Sequence, residues 1–525
     1  MTPLASPADG REPTLETVTI DGGPLLPGQV VAVADRRSHV ALADTVPARM
    51  APARRLVDEA VDGARLIYGV TTGFGALADT HISREQLREV QHAILRSHAA
   101  GVGPPLPRRV VRAMLLLRAR TLAQGHSGVR PAIVQRLVTL LERDLLPVVP
   151  EKGSVGASGD LAPFAHLALP LVGEGVLDDG TQVGPAARLL ALHGLEPLVL
   201  QPKEGLSLVN GTEGMVALGV LGLDLAWRLA RVADVACAAS VEALLATDQP
   251  FQAPIHLLRP HPGQLASAAN LARLLDGSQI VASHRDSPHA VQDAYSLRCA
   301  PQVHGACRDV LAFAQATFER ELGAVVDNPI VLPDTGEVVS AGNFHGQPLG
   351  FALDFMTAAV TELGSISERR TDRILDPDHS GGLPPFLARR PGVNSGYMLA
   401  QYTAAALVAE NRVLCHPASV ESIPTSGSQE DHVSMGWGAG RKLQEVLDNT
   451  LQVLAVELVC AVEGLGHRSP LRPAPAVAAL AAAVRARVPP LEEDRVVATD
   501  LQTVADAIRD GILLAAVEQA AGPLR

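Results

Sequence analysis

The sequence predicts a mainly α protein, a bundle of long helices with a smaller mixed N-terminal region that carries a glycine-rich loop. Three observations predict it. Hydrophobic residues fill 47% of the 525 positions and aromatic residues only 3%, in long stretches of Ala, Leu, Val, Arg and Glu whose side chains lose little freedom in a helix. Apolar residues recur at helical spacing in segments such as Arg84 to Ala100 and Arg109 to Gln124. Later segments are apolar all round, so they must be buried on every side, and bundling satisfies that need.

In chain order, residues 1–14 are rich in Pro, Gly and polar groups and read as a disordered tail. An N-terminal domain over 15–204 follows, with helical periodicity from Ala51 to about Leu146. It is broken by the Gly69 to Gly75 loop and by Gly101-Val-Gly-Pro-Pro105. Between Val172 and Leu200 the pattern is mixed, and Asp178-Asp-Gly180 signals the turn of a small hairpin. The central bundle spans 205–466, with helices expected at Val216 to Ala246, Val303 to Leu322, Phe351 to Arg373, Tyr397 to Leu414 and Ser434 to Val462. Residues 467–525 form a closing helical segment interrupted at Pro489-Pro490.

Charge and cysteine usage narrow the function. Lys and Arg number 44 against 56 Asp and Glu, a net of -12, and without a basic run nucleic acid is not an expected partner. The five cysteines, Cys237, Cys299, Cys307, Cys415 and Cys460, are odd in number and lack a Cys-x-x-Cys pair, which suits a reducing cytoplasm and argues against a zinc or disulfide framework. The start lacks the basic and apolar segments of a signal peptide. Asp224, Arg228, Arg231 and Asp234 interrupt the apolar run 216–246, so it reads as a buried helix and not a membrane span.

Gly-Ser-Val-Gly-Ala-Ser-Gly-Asp at 153–160 carries the most distinctive chemistry. Held in a tight bend, Ala157-Ser158-Gly159 can cyclise: the Gly159 amide nitrogen attacks the Ala157 carbonyl carbon, water leaves, and Ser158 loses its hydroxyl. The product is a methylidene-imidazolone electrophile. Gly159 permits a bend in which a side chain would clash. A phosphate cradle is the competing reading of three glycines at this spacing, but no Gly-Lys-Ser/Thr follows.

Other groups collect at loops. Tyr68 lies in Tyr-Gly-Val-Thr-Thr-Gly-Phe-Gly at 68–75, and Tyr295 precedes Arg298 by three residues, on one face if that piece is helical. A phenol acts as a base when a neighbouring arginine lowers its pKa, and either ring can instead be a packed one with a satisfied hydroxyl. His98 ends a helix, where a cationic imidazole would suit the dipole. Asn210 suits a left-handed turn or an amide that holds a substrate carboxylate. Glu430 and Asp431 suit a helix start, or a carboxylate receiving a ring N–H. His284, Asp286 and His289 lack a third ligand at metal spacing.

In order along the chain, the 68–75 loop, Ser97-His98, the 153–160 loop, Asn210-Gly-Thr212, Tyr295-Ser-Leu-Arg298, Gly342-Asn-Phe-His-Gly346 and Gln429-Glu-Asp-His432 resemble the aromatic amino acid ammonia-lyases, and among them the actinobacterial histidine ammonia-lyases. The likeness runs from about Leu66 through Ala461. It implies the long-helix fold of the fumarase and aspartase superfamily and a cytoplasmic homotetramer whose active sites draw on several subunits. It implies elimination of ammonia from L-histidine to trans-urocanate through the electrophile formed from Ala157, Ser158 and Gly159, with no metal, nucleotide or membrane partner. Tyr68 would be the base, Asn210 and Tyr295 would sit by the electrophile, and Arg298 would pair with the substrate carboxylate. Phe344 would border the pocket, with His98, Gln292 and Glu430 at the imidazole end. Gly346-Gln347 resembles tyrosine ammonia-lyases and tyrosine 2,3-aminomutases, the alternative on this scaffold, whereas Gln429-Glu430 suits an imidazole N–H.

Overall fold

Helices dominate the computed structural model, which describes residues 15–63, 67, 69–73, 82–83, 86–156, 159–287 and 291–525. The chain divides into two compact units: residues 1–221, 317–350 and 418–438 form the first, and 222–316, 351–417 and 439–525 the second.

The first unit contains a feature that periodicity did not anticipate. Glu16–Ile20 and Ser38–Leu42 pair in parallel, Glu16 opposite Ser38 and Ile20 opposite Leu42, and the helix Pro27–Ala34 supplies the crossover that a parallel pair requires. Its core is the helix Arg108–Ala123, in which every residue from Val110 to Ala123 is buried. The expected hairpin is present, with Val176–Asp178 antiparallel to Val183–Pro185. The Asp179 carboxylate closes its turn by accepting the Thr181 and Gln182 N–H groups at 2.9 Å each, an Asx turn. These bonds, that of the Thr181 hydroxyl first among them, hold Asp179 below the usual carboxylate range.

The five long helices form as expected, with shifted ends: Glu213–Ala243, Ala300–Glu321, Gln347–Leu375, Met398–Leu414 and Gly436–Gly466. The first starts at Glu213, an acidic residue that suits a helix N-terminus, and ends before Leu245, which takes φ 54°. The third starts at Gln347 because Pro348 is tolerated in a first turn. Gln347–Leu375 has the length and composition to cross a membrane, yet 67% of its most apolar window is buried within this chain. The closing segment consists of Pro475–Arg485, Val497–Arg509 and Ile512–Ala521.

In the second unit two buried carboxylates tie the helices together. Asp234 accepts from Ser267 Oγ at 2.6 Å, His304 Nδ1 at 2.8 Å, Asn270 Nδ2 at 2.9 Å and Arg308 Nη2 at 2.6 Å. Burial alone would raise its pKa, but Arg308 and His304 reverse that and bring it down to about 2. Glu457 accepts from Ser240 Oγ at 2.7 Å, Ser367 Oγ at 2.6 Å and the Arg370 guanidinium at 2.5 and 2.8 Å. Burial also pushes the Cys237 and Cys307 thiols up to about 12, which leaves them protonated and unreactive.

Candidate active site

The glycine-rich loop is fixed by backbone on either side of its reactive residues. Gly159 bridges Gly211 in parallel, and the Asp160 N–H donates to the Gly211 carbonyl at 2.7 Å. Gly159 has φ +79°, and a Cβ there would stand 2.0 Å from the Gly211 oxygen. Only glycine fits. At the other side Gly156 has φ +74° with Ser434 Oγ 2.1 Å from where a Cβ would be. Ser434 donates to the Gly156 carbonyl at 3.3 Å and the Met435 N–H to that of Val155 at 2.8 Å. Ala157 and Ser158 lie outside the described residues, as does Tyr68.

Two helices begin beside this bridge: Leu161–Ala168 directly after the loop, and Glu213–Ala243 directly after Asn210-Gly-Thr212. Their N-termini place partial positive charge where negative charge can be stabilised. Asn210 is 2% exposed; its Nδ2 donates to the Asn328 carbonyl at 2.9 Å. Its Oδ1, buried, has no hydrogen-bond partner among the described residues. A buried amide oxygen left unpaired costs about 1–3 kcal/mol, so the site carries an acceptor kept for something else.

Behind Asn210 lies a charged layer that sequence reasoning did not assign. Arg118 Nη1 donates to the Asn210 carbonyl at 3.0 Å and to Glu213 Oε2 at 2.9 Å. Lys203 Nζ donates to Asp327 Oδ2 at 2.9 Å, and the Asn328 N–H to Asp327 Oδ1 at 2.7 Å, so the carbonyl that holds Asn210 is itself braced. Burial lowers the Lys203 pKa. Asp160 is fully buried and accepts the Met215 N–H at 2.8 Å; burial pushes its carboxyl up to about 8, so it is largely protonated at pH 7. The available signal was three arginines, Arg112, Arg118 and Arg120, inside a helix buried from Val110 to Ala123, because such charges must be paired.

His98 and Glu430 both belong to the first unit, within electrostatic reach of one another. His98 ends the helix Leu87–His98, with Ser97 Oγ 3.0 Å from its Nδ1. Burial lowers its pKa and Glu430 pulls it back up, so burial opposes the cation that a helix end would favour. Glu430 Oε2 accepts from Thr425 Oγ1 at 3.0 Å. Phe344 is half-buried on the neighbouring 342–346 stretch. His345 Nδ1 accepts the Gln347 N–H at 3.3 Å, which leaves Nε2 to donate to the His432 carbonyl at 3.2 Å. The two rings stack at 5.7 Å.

The remaining candidates belong to the second unit. Tyr295–Arg298 forms a single helical turn, and the Arg298 guanidinium lies 4.5 Å from the Tyr295 ring centroid. Arg298 Nε donates to the Asp293 carbonyl at 2.9 Å. Tyr295 is 72% exposed in the single chain, and Gln292 is also exposed. His284 Nε2 lies 3.2 Å from the Ala246 carbonyl; His289 is outside the described residues.

Comparison with known proteins bears directly on this arrangement. Residues 25–486 match the aromatic amino acid lyase family. A histidine ammonia-lyase of Gloeobacter violaceus is 50% identical over 97% of this chain and 98% of its own length. The crystal structure of histidine ammonia-lyase from Trypanosoma cruzi superposes with a TM-score of 0.89 at 42% identity, covering 97% of this chain and 96% of that one. Tyrosine aminomutase from Streptomyces globisporus superposes at 0.91 with 39% identity over 97% of this chain and 100% of that one.

Proposed function

The chain belongs to the aromatic amino acid lyase family, and from that premise we propose that it eliminates ammonia from L-histidine to give trans-urocanate, the first step of histidine degradation. The feature that carries the choice of histidine is the Glu430 carboxylate, within electrostatic reach of His98, because a carboxylate binds an imidazole N–H and gains nothing from a bare ring. The 50% identical histidine ammonia-lyase relatives support it.

The residues around the loop fit a ring formed from Ala157, Ser158 and Gly159. Gly159 is pressed against Gly211 with no room for a side chain, Asn210 Oδ1 is an unpaired buried acceptor, and two helix N-termini begin beside the bridge. Such a ring supplies an electron sink, which the reaction needs because a β-proton is too weakly acidic for a protein base alone. Glu430 receives the imidazole N–H and His98 packs at the same end, while Phe344 borders the pocket. Arg298 pairs with the substrate carboxylate and Gln292 adds a polar contact at the imidazole end. Tyr68 removes the β-proton, with Tyr295 and Asn210 beside the leaving amine.

Tyr295 and Gln292 are exposed in the single chain, which supports a homotetramer in which neighbouring subunits complete one another's sites, in the reducing cytoplasm that five free cysteines suit. Incubating the protein separately with histidine, tyrosine and phenylalanine, and following ammonia and product, tests the reading. Urocanate from histidine is expected. Coumarate or a β-amino acid from tyrosine, without urocanate, would place the chain with the tyrosine enzymes instead.

A further inference from the structure

Glu430 does not stand free in its loop. Thr425 and Glu430 form an isolated antiparallel bridge: the Thr425 N–H donates to the Glu430 carbonyl at 2.8 Å and the Glu430 N–H to the Thr425 carbonyl at 3.3 Å. Within the loop so closed, Thr425 Oγ1 donates to Glu430 Oε2 at 3.0 Å. The turn between them is a tight one, with Ser426, Gly427 and Ser428 all at positive φ of 52°, 62° and 67°. Two non-glycine residues held in the left-handed region mark a backbone shaped by its surroundings and not by local preference.

We propose that Thr425 is the positioning residue for the Glu430 carboxylate, and hence a determinant of selectivity for imidazole substrates; this rests on the reading of Glu430 given above. A glutamate side chain has three rotatable bonds, and an unrestrained one loses that freedom only when substrate binds. The Thr425 hydroxyl takes Oε2, fixes the carboxylate in advance, and leaves Oε1 as the free acceptor for a ring N–H. Thr425 touches no reacting atom in this scheme and acts only through Glu430.

The test is a double-mutant cycle on the full-length protein: Thr425→Val, Glu430→Ala, both together, and Thr425→Ser as the conservative variant. Thr425→Val is expected to raise KM for histidine about five- to tenfold, within the range for losing an ordinary hydrogen bond, with a much smaller change in kcat. Thr425→Ser should restore KM to within about twofold, since serine keeps the donor. In the Glu430→Ala background, Thr425→Val should cost nothing further. Additive losses in the cycle, or a Thr425→Val protein with unaltered KM, would overturn the proposal. A Thr425→Ser protein as impaired as Thr425→Val would do so as well. If the unmodified protein does not turn over histidine, the reading of Glu430 fails separately. The same cycle run on whichever of tyrosine or phenylalanine it does accept then decides the coupling: non-additivity keeps Thr425 as the positioning residue, and additivity removes it.

Discussion

The Asp234 and Glu457 centres of the second unit and the Asn210 centre of the first are equally buried and built from similar groups, yet they are finished differently. Asp234 and Glu457 each have both oxygens matched to donors. Around Asn210, Asn210 Oδ1 and Glu213 Oε1 are buried with no hydrogen-bond partner among the described residues, and Asp160 is pushed up to about 8. Carboxylates paired in this way hold helices together. A network with acceptors left over, next to a loop whose glycines touch backbone, is where a reaction can be run.

That contrast can be broken at either end. The largest effect on stability is expected from Arg370→Leu, which leaves Glu457 as an uncompensated buried charge and should cost about 3–5 kcal/mol in denaturant unfolding. A loss below about 1 kcal/mol would show that the second unit does not depend on this pair. Gly159→Ala should be next, because the added Cβ lands 2.0 Å from the Gly211 oxygen; strain of about 1–3 kcal/mol and loss of activity are expected, read by thermal unfolding and turnover. Asn210→Ala removes one hydrogen bond, to Asn328, and should cost only about 1 kcal/mol in stability while lowering kcat about a hundredfold or more. Equal losses in stability and activity would make Asn210 a structural residue like those around Glu457.

An effect of a different kind is in pH dependence. Asp160 moves from the ordinary 3.8 to about 8 on folding, so between those values the folded protein holds a proton that the unfolded chain has released. Its contribution therefore weakens as pH rises through that window, with a slope of at most about 1.4 kcal/mol per pH unit. Asp160→Asn, which keeps the shape without the titration, should flatten that part of the stability profile. An unchanged slope would mean that Asp160 is ionised in the folded state.

Most of the helical architecture was legible in the sequence because length and all-round apolarity are local properties. The hairpin at 176–185 was legible for the same reason, since its turn signal sits at Asp178-Asp-Gly180. The parallel pair of Glu16–Ile20 with Ser38–Leu42 was not, because each strand is five residues long and neither declares its partner. In the site, the candidate residues could be picked out one by one, but not what fixes them. Gly159 meets Gly211 across 52 positions, and Arg118 reaches Asn210 across 92; such contacts exist only once the chain has folded. The lowered pKa of His98 was likewise hidden, since burial, and not the helix end, sets its direction.

The central claim is that the backbone at 157–159 becomes an electrophile, and mass spectrometry of the proteolytic peptide spanning Glu151 to His166 tests it most directly. The account predicts a peptide lighter than its sequence by two waters, and a Ser158→Ala chain that folds but has lost nearly all activity. A peptide of unmodified mass from active protein would contradict it.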